Sequence, residues 1–150
     1  MADYLMSKLW KVLERKDVSL HPKWMRIEKH TVRTPSGAVV KDYYVRHATP
    51  CVIVIAQRGD GKVLVNREYA HAIRQIILKF PSGLIEDGEA PAQAAKRELL
   101  EETGYAITRL KRACVTYPSP EGMNKPITAF YARCEKRGKA NPEATEDITL

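Results

Sequence analysis

Three glutamates stand at helical spacing near the middle of the chain, where they could hold a metal ion. Glu98, Glu101 and Glu102 occupy positions i, i+3 and i+4, so they share one face of a predicted helix. Like charges at this spacing destabilise a helix, and a bound cation would relieve the repulsion. Carboxylate oxygens without cysteine or histidine suit hard cations, so the pattern favours Mg²⁺ or Mn²⁺ over zinc.

The neighbouring residues define the helix that presents these glutamates. Pro91 suits a first turn, where its missing N–H costs nothing, and Gly104 supplies a C-terminal stop. Ala95 and Leu99 lie on a different side of the helix and are predicted to pack into a core. A solvated acidic face is the alternative interpretation of a bare glutamate cluster. Two glycines, Pro81 and Glu89 match the longer pattern that surrounds the three glutamates, and this match favours the metal site.

Arg97 and the glutamates belong to a longer pattern. The pattern reads G-x5-E-x7-R-E-U-x-E-E-x-G-U, where U is an apolar residue. Its fixed positions are filled by Gly83, Glu89, Arg97, Glu98, Leu99, Glu101, Glu102 and Gly104, and its last apolar position by Tyr105. The segment resembles the Nudix hydrolase box. This resemblance implies a magnesium-dependent enzyme that splits a nucleoside diphosphate from another moiety.

The flanks of the box narrow the resemblance to one subgroup. Phe80–Glu86 resembles the segment that leads into the box in ADP-ribose and nucleoside-diphosphate-sugar pyrophosphatases. Pro120 lies 15 residues beyond Tyr105, where that subgroup carries a proline. Ser119–Met123 resembles its Ser-Pro-Gly loop, with Glu121 inserted. The expected reaction is hydrolysis of ADP-ribose or another nucleoside diphosphate sugar, giving a nucleoside monophosphate and a sugar phosphate.

Three departures keep the choice of sugar nucleotide open. Lys79 stands where the subgroup usually has glutamate. The subgroup often has an Arg-Gln-Tyr-Arg-like run after the strand that precedes the box. The corresponding run here is Asn66–Tyr69, in which the arginine is shifted by one position. Lys125 and Pro126 occupy a region where the subgroup has an acidic residue. The substrate could therefore be a sugar nucleotide other than ADP-ribose.

The resemblance also implies a fold and an assembly. The expected class is α+β, a Nudix α/β/α sandwich with a mixed sheet. Residues 1–49 resemble an N-terminal β extension that often swaps between the subunits of a dimer, and 50–150 form the catalytic domain. We therefore expect a homodimer. Subgroup members usually continue beyond Ile148 with a strand and a closing helix, so either the chain is shortened, without the last helix, or the sandwich is closed differently.

The resemblance assigns roles to individual residues. Mg²⁺ would be held by Glu98, Glu102 and Glu101, with the backbone carbonyl of Ser82 as a further ligand. Arg97 is expected to orient Glu101 through an ion pair, because it precedes Glu101 by four positions. The remaining expectations are a general base at Glu146 or, second, Glu143, and substrate contacts at Arg46 and Arg67. A solvated loop carboxylate is the alternative for Glu146, and an exposed structural role is the alternative for each arginine.

Strands are predicted on both sides of the helix. Met25–Val32 and Asp42–Val45 suggest a hairpin around the turn Thr34–Gly37, and the β-branched run Cys51–Ala56 suggests a buried strand. Further strands are predicted at 62–65, 76–78, 112–117 and 128–133, whereas 67–75 is predicted to be a loop. The predicted order along the chain is several strands, one central helix and then further strands. This order indicates an α+β fold with a mixed sheet.

Composition restricts the class of protein. The chain has 150 residues, 44% of them apolar and 29% charged, which suffices for one domain with a core. No apolar run approaches the length of a membrane span. Three widely spaced cysteines without a C-x-x-C fit a reducing compartment, so we expect the cytoplasm. The four histidines are scattered, which makes a zinc site improbable.

The net charge of +7 could steer anionic substrates or mark an RNA surface. No block of like charge and no aromatic-rich basic repeat is present, so we do not expect nucleic acid as a partner. A pyrophosphohydrolase of RNA 5′ ends or of the nucleotide pool remains the alternative function. A non-catalytic Nudix binding module ranks third, because such modules usually lose box glutamates and this chain keeps them.

Overall fold

A computed structural model describes residues 9–21, 25–141 and 148–149 of the chain. The chain divides into two units. The first combines the chain up to Ala48 with Tyr117–Lys125. The second comprises Thr49–Thr116 and the chain from Pro126 onward. Among the described residues, no helix has both the length and the apolar character that crossing a membrane requires.

The first unit is built on an antiparallel sheet of three strands. These are β1 (Lys11–Asp17), β2 (Arg26–Arg33) and β3 (Val39–His47), in the order β1-β2-β3. The turn between β2 and β3 is closed by the Gly37 N–H, which donates to the Thr34 carbonyl at 3.0 Å. Gly37 has a φ of 91°, which a residue with a side chain rarely adopts. The predicted hairpin is therefore confirmed.

The second unit contains two sheets and one described helix. Its elements are β4 (Cys51–Gln57), β5 (Asn66–Ala70), β6 (Gln75–Lys79), β7 (Ser82–Leu84), α1 (Pro91–Thr103), β8 (Tyr105–Thr116), β9 (Ile127–Lys136) and β10 (Ile148–Thr149). One sheet has the order β7-β4-β9-β8 and the other β10-β5-β6. Since β4 runs parallel to β9 and antiparallel to β7, the larger sheet is mixed, as predicted.

The core of the second unit lies between α1 and one face of the mixed sheet. Val52 and Val54 of β4, Ala95 and Leu99 of α1, and Phe130 of β9 are all buried. The predicted inward side of the helix is thus confirmed. Burying a leucine completely stabilises a fold by about 2 kcal/mol, so this packing helps fix where α1 lies on the sheet.

Both ends of α1 follow the sequence prediction. Pro91 occupies the first turn, and the Ala90 N–H before it donates to Gln93 Oε1 at 2.9 Å. Gly104 ends the helix in the left-handed conformation, with φ 69°, and its N–H donates to the Leu100 carbonyl at 2.8 Å. The Asn141 N–H donates to the Glu101 carbonyl at 2.7 Å, so a later segment satisfies an acceptor of the last turn.

Two secondary-structure predictions are wrong. Residues 62–65 form no strand, and only an isolated bridge joins Gln57 to Val63. Leu64 is buried in the core, and the chain then leaves the sheet that contains β4. The predicted loop at 67–75 instead contains β5, which pairs with β6 through the turn at 71–74. The polar and charged residues of β5 conceal the alternation of apolar and polar residues that marks a strand. Pairing with β6 outweighs the low strand propensity of these residues.

Candidate active site

The glutamates of α1 share a face of the helix but differ in burial. Glu98 and Glu102 are buried, with 8% and 1% of their surface exposed. The side chain of Glu101 is 44% exposed. The helix packs against β4, β7 and β8. The structure therefore places two carboxylates against the sheets and leaves the third at the protein surface.

Glu102 is held by donors from two different strands. Its Oε2 accepts from Asn66 Nδ2 on β5 at 2.9 Å and from the Ser82 N–H on β7 at 3.0 Å. Ser82 thus contacts a carboxylate of the box. The contact shown is made by its N–H, and the role of its carbonyl as a metal ligand stays a prediction.

Glu98 lies directly against the backbone of β7. A Cβ atom added at Gly83 would stand 1.9 Å from Glu98 Oε1 and 2.0 Å from its Cδ. No real contact is that short, so the carboxylate occupies the space that a side chain at position 83 would need. The glycine of the box is therefore required here for close approach.

Arg97 links the box carboxylates to one another. Its Nε and Nη2 donate to the two oxygens of Glu89 at 3.0 and 2.9 Å, a two-pronged pair. Its Nη1 donates to Glu98 at 2.8 Å and to Glu101 at 3.2 Å, which confirms the predicted Arg97–Glu101 ion pair. Its Nη2 also donates to the Leu84 carbonyl at 2.9 Å. One guanidinium thus connects α1, β7 and the loop between them.

The contacts between Arg97 and Glu89 determine the charges of both side chains. The hydrogen bonds from Arg97 lower the pKa of the Glu89 carboxyl below its ordinary value. The hydrogen bond to Glu89, followed by that to Glu98, raises the pKa of the Arg97 guanidinium above its ordinary value. Both side chains are therefore ionised at neutral pH.

The donor set fits a hard cation held in an open site. Three carboxylates, those of Glu89, Glu98 and Glu101, pair with Arg97. With Glu102 they supply oxygen donors without cysteine or histidine. The buried Oδ1 of Asn66 also has no hydrogen-bond partner among the described residues. Within those residues no group of three or more His, Cys, Asp or Glu forms a ready-made metal cage. Mg²⁺ usually takes few carboxylates from a protein and keeps several waters, so these oxygen donors fit it.

The other predicted site residues lie elsewhere or outside the described ranges. Arg46 is on β3 in the first unit, with an exposed side chain and a backbone N–H that donates to the Gly122 carbonyl at 2.8 Å. Arg67 is exposed on β5, and it follows Asn66 directly, so it points to the opposite face of the strand. The structure does not bring Arg67 to the box carboxylates. Glu146 and Glu143 lie outside the described residues.

The sequence interpretation missed Asn66 and gave Glu89 no role. Asn66 lies in a segment predicted to have no strand, and its partner Glu102 is 36 residues away. A polar residue directly after the apolar run Val63–Val65 was the available signal. Glu89 is recognisable from the sequence only as a residue at a fixed position of the box. It lies eight residues before Arg97, and no local rule predicts a contact between side chains at that separation.

Comparisons with known families identify the class of protein. A model of the NUDIX domain matches residues 46–149. A model of the nucleoside diphosphate sugar hydrolase N-terminal domain matches residues 10–45. The chain therefore belongs to the Nudix family.

Similar proteins place the chain within that family. It is 33% identical over 101 residues to ADP-ribose pyrophosphatase of Bacillus subtilis, covering 67% of this chain and 54% of that protein. It is 37% identical over 93 residues to ADP-sugar pyrophosphatase of Mus musculus, covering 55% and 43%. It is 26% identical over 147 residues to GDP-mannose pyrophosphatase of Pectobacterium atrosepticum, covering 91% and 74%. The chain thus spans about half the length of the first two of these relatives.

The fold also matches a solved structure. The crystal structure of an ADP compounds hydrolase superposes with a TM-score of 0.77 at 22% sequence identity, covering 93% of this chain and 76% of that one. The predicted α+β Nudix fold with a mixed sheet is therefore confirmed.

Proposed function

We propose that this chain hydrolyses the pyrophosphate bond of ADP-ribose or another nucleoside diphosphate sugar, with Mg²⁺ or Mn²⁺ as cofactor. The products would be a nucleoside monophosphate and a sugar phosphate. The carrying observation is the pair of buried carboxylates, Glu98 and Glu102, held against β7 and β5 in a site of oxygen donors. The match of residues 10–45 to an N-terminal domain of nucleoside diphosphate sugar hydrolases supports this class of substrate.

Each box residue would have a separate task in this reaction. Glu98 and Glu102, with Glu101 and the Ser82 carbonyl, would hold the cation. When bound, Mg²⁺ supplies stabilisation of the negative charge that develops on the two phosphates. Arg97 orients Glu98 and Glu101 through its hydrogen bonds, and Glu89 fixes Arg97.

One glutamate and two arginines outside the box are the remaining candidate residues. Glu146 is proposed as the general base that removes a proton from the attacking water. Arg46 and Arg67 are proposed as contacts to the substrate's anionic groups. The exposed position of Arg67, away from Asn66, makes it the weaker of the two candidates.

A panel of substrates tests the reaction class. ADP-ribose, ADP-glucose, GDP-mannose, dinucleoside polyphosphates and triphosphorylated RNA would be incubated with the protein and Mg²⁺, and the released nucleotides separated by chromatography. Release of nucleoside monophosphate from a sugar nucleotide is the expected result. Activity confined to RNA or dinucleoside polyphosphates would support the alternative reaction, and inactivity on the whole panel would support a binding module.

Replacing one buried carboxylate tests the site. Glu98→Gln and Glu102→Gln keep the side-chain size but remove a charge that the cation needs. Each should lower kcat by about 100-fold or more. The matched control is Glu135→Gln, an exposed carboxylate on β9 paired with Arg137, which should keep wild-type activity. Wild-type turnover in Glu102→Gln would refute the site assignment.

We also infer an organisation for the whole chain. Residues 1–49 would form the N-terminal extension and 50–150 the catalytic domain. A homodimer formed through the extension is proposed because Leu9, Trp10, Val12 and Leu13 are between 38% and 64% exposed. The cytoplasm is the proposed location, supported by three free cysteines, Cys51, Cys114 and Cys134.

A further inference from the structure

Asn66 is a buried polar residue whose presence the fold alone does not explain. It begins β5 with none of its surface exposed. Its Oδ1 has no hydrogen-bond partner among the described residues. An apolar side chain would be less costly to bury at such a position. A buried polar group of this kind calls for an explanation outside packing, such as a bound water or ion.

The amide of Asn66 is directed at one of the box carboxylates. Its Nδ2 donates to Glu102 Oε2 at 2.9 Å, and the Ser82 N–H donates to the same oxygen at 3.0 Å. The two donors come from β5 and β7, whereas Glu102 comes from α1. Three elements therefore meet at one carboxylate oxygen, and the two donors restrict rotation of the carboxylate about its last bond.

The donor at position 66 carries no charge, and the ammonium of the residue paired with it across the sheet is engaged elsewhere. Lys79 is the residue opposite Asn66 in the pairing of β5 with β6. Its Nζ forms an ion pair with Glu68, two residues further along β5. A lysine bound to Glu102 would neutralise the carboxylate and compete with a cation. An amide orients the carboxylate while leaving its negative charge in place.

We propose that Asn66 is a positioning residue that holds the Glu102 carboxylate in the orientation needed to bind a divalent cation. This inference rests on the proposed function, because it assigns Glu102 to the cation. It adds a residue outside the box, from the strand β5, to the machinery of the site. Asn66 acts through Glu102, as partners of metal ligands do when they fix the ligand's orientation.

The test compares Asn66→Leu with the wild type by direct Mn²⁺ binding, measured from the electron paramagnetic resonance signal of free Mn²⁺. Leucine has a similar size and cannot donate. The Kd for Mn²⁺ should rise by about 10-fold or more. With Mg²⁺ and a sugar nucleotide, kcat should fall while the substrate KM stays within roughly twofold, because Asn66 does not touch the substrate. Thermal stability should fall by a moderate amount, because the buried Glu102 carboxylate loses the donor that Asn66 supplies to its Oε2.

Thr128→Val is the matched control, since Thr128 is a buried polar residue on β9 in the same unit. It should leave the Kd for Mn²⁺ unchanged. An unchanged Kd in Asn66→Leu would overturn the proposal, as would a loss of thermal stability without a change in Kd. If Asn66→Leu does not fold, Asn66→Val, which suits a strand, carries the same test. A wild type that binds Mn²⁺ but hydrolyses no sugar nucleotide would refute the proposed function, and the Kd comparison would still decide the role of Asn66.

Discussion

Gly83 has no side chain, and the carboxylate of Glu98 fills the space where one would begin. Gly37, Gly61, Gly88 and Gly104 have positive φ values, but Gly83 does not. Its backbone could therefore accept alanine, and the obstacle is the neighbouring carboxylate. The requirement for glycine here is a matter of distance between α1 and β7.

Gly83→Ala should damage the site more than the fold. The new methyl group would displace the Glu98 carboxylate by an ångström or more, and a shift of about 1 Å in a catalytic group can cost about 100-fold in rate. We expect a loss of that order in kcat, with weaker Mn²⁺ binding, measured beside thermal stability. Gly59→Ala is the control, because a Cβ there meets nothing within 4 Å. Equal activities in the two variants would contradict this account.

The sequence predicted which carboxylates share a face, but it could not predict their burial. Spacing places Glu98, Glu101 and Glu102 together on a helix, since helical geometry depends on sequence separation. Burial depends on what packs against the helix, and here β7 and β5 cover Glu98 and Glu102 but not Glu101. The contact between Asn66 and Glu102 has no local signature in the sequence. Long-range contacts of this kind need the tertiary structure.

At the scale of elements, α1 was predictable in full, whereas β5 and β7 were missed. Pro91 and Gly104 mark the ends of the helix through local backbone chemistry. The three residues of β7 owe their extended conformation to pairing with β4. The residues of β5 owe theirs to pairing with β6. Local rules therefore gave the helix that carries the glutamates but not the strands that hold them.

The β2–β3 hairpin has a polar cluster of its own, centred on Glu28. Glu28 Oε2 lies 2.9 Å from His30 Nε2 and 3.2 Å from His47 Nε2, and its Oε1 accepts from Arg26 at 3.0 Å. The hydrogen bond with His30, aided by His47, lowers the pKa of Glu28 from an ordinary 4.5 to about 2. A carboxyl with a depressed folded-state pKa stabilises the fold fully above its unfolded pKa. That contribution is lost as the pH falls toward the folded pKa.

Glu28→Gln should therefore lower the stability of the first unit at neutral pH. The difference in free energy of unfolding between the wild type and the variant should narrow as the pH falls from about 4.5 to about 2. Urea unfolding followed by tryptophan fluorescence measures this difference in stability, because Trp10 lies directly before β1 in the first unit. Glu14→Gln, on the neighbouring strand β1, serves as the control. A stability difference between the wild type and Glu28→Gln that stays constant down to about pH 2 would contradict the role of Glu28.

For the whole molecule, the positive charge and the exposed apolar residues at the start of the first sheet suggest two properties of the protein. A net charge of +7 favours the approach of anionic substrates, and this attraction weakens with added salt. Small sheets gain stability when an apolar face is covered. The exposed residues Leu9, Trp10, Val12 and Leu13 lie at the start of the first sheet. The charge is consistent with the proposed anionic substrate, and the exposed apolar residues are consistent with the proposed homodimer.

Leu13→Lys should weaken the proposed homodimer. Size-exclusion chromatography with light scattering should give about twice the chain mass of 17.0 kDa for the wild type and a concentration-dependent shift toward the monomer for the variant. The control is Lys16→Gln, an exposed polar residue on the same strand β1. A wild type that is monomeric at all concentrations would refute the dimer, and unchanged dimerisation of Leu13→Lys would place the interface elsewhere.

The hydrogen bonds of Arg97 have a consequence for when the site is assembled. Bringing several like charges together is costly, and in many small metal-binding domains that cost is met only when the metal arrives. Here Arg97 already binds Glu89, Glu98 and Glu101. The repulsion among the carboxylates is therefore offset once, as the chain folds. A cation bound as proposed would meet carboxylates that Arg97 already holds in place. Its exchange between turnovers would then not need to disturb the helix that carries them.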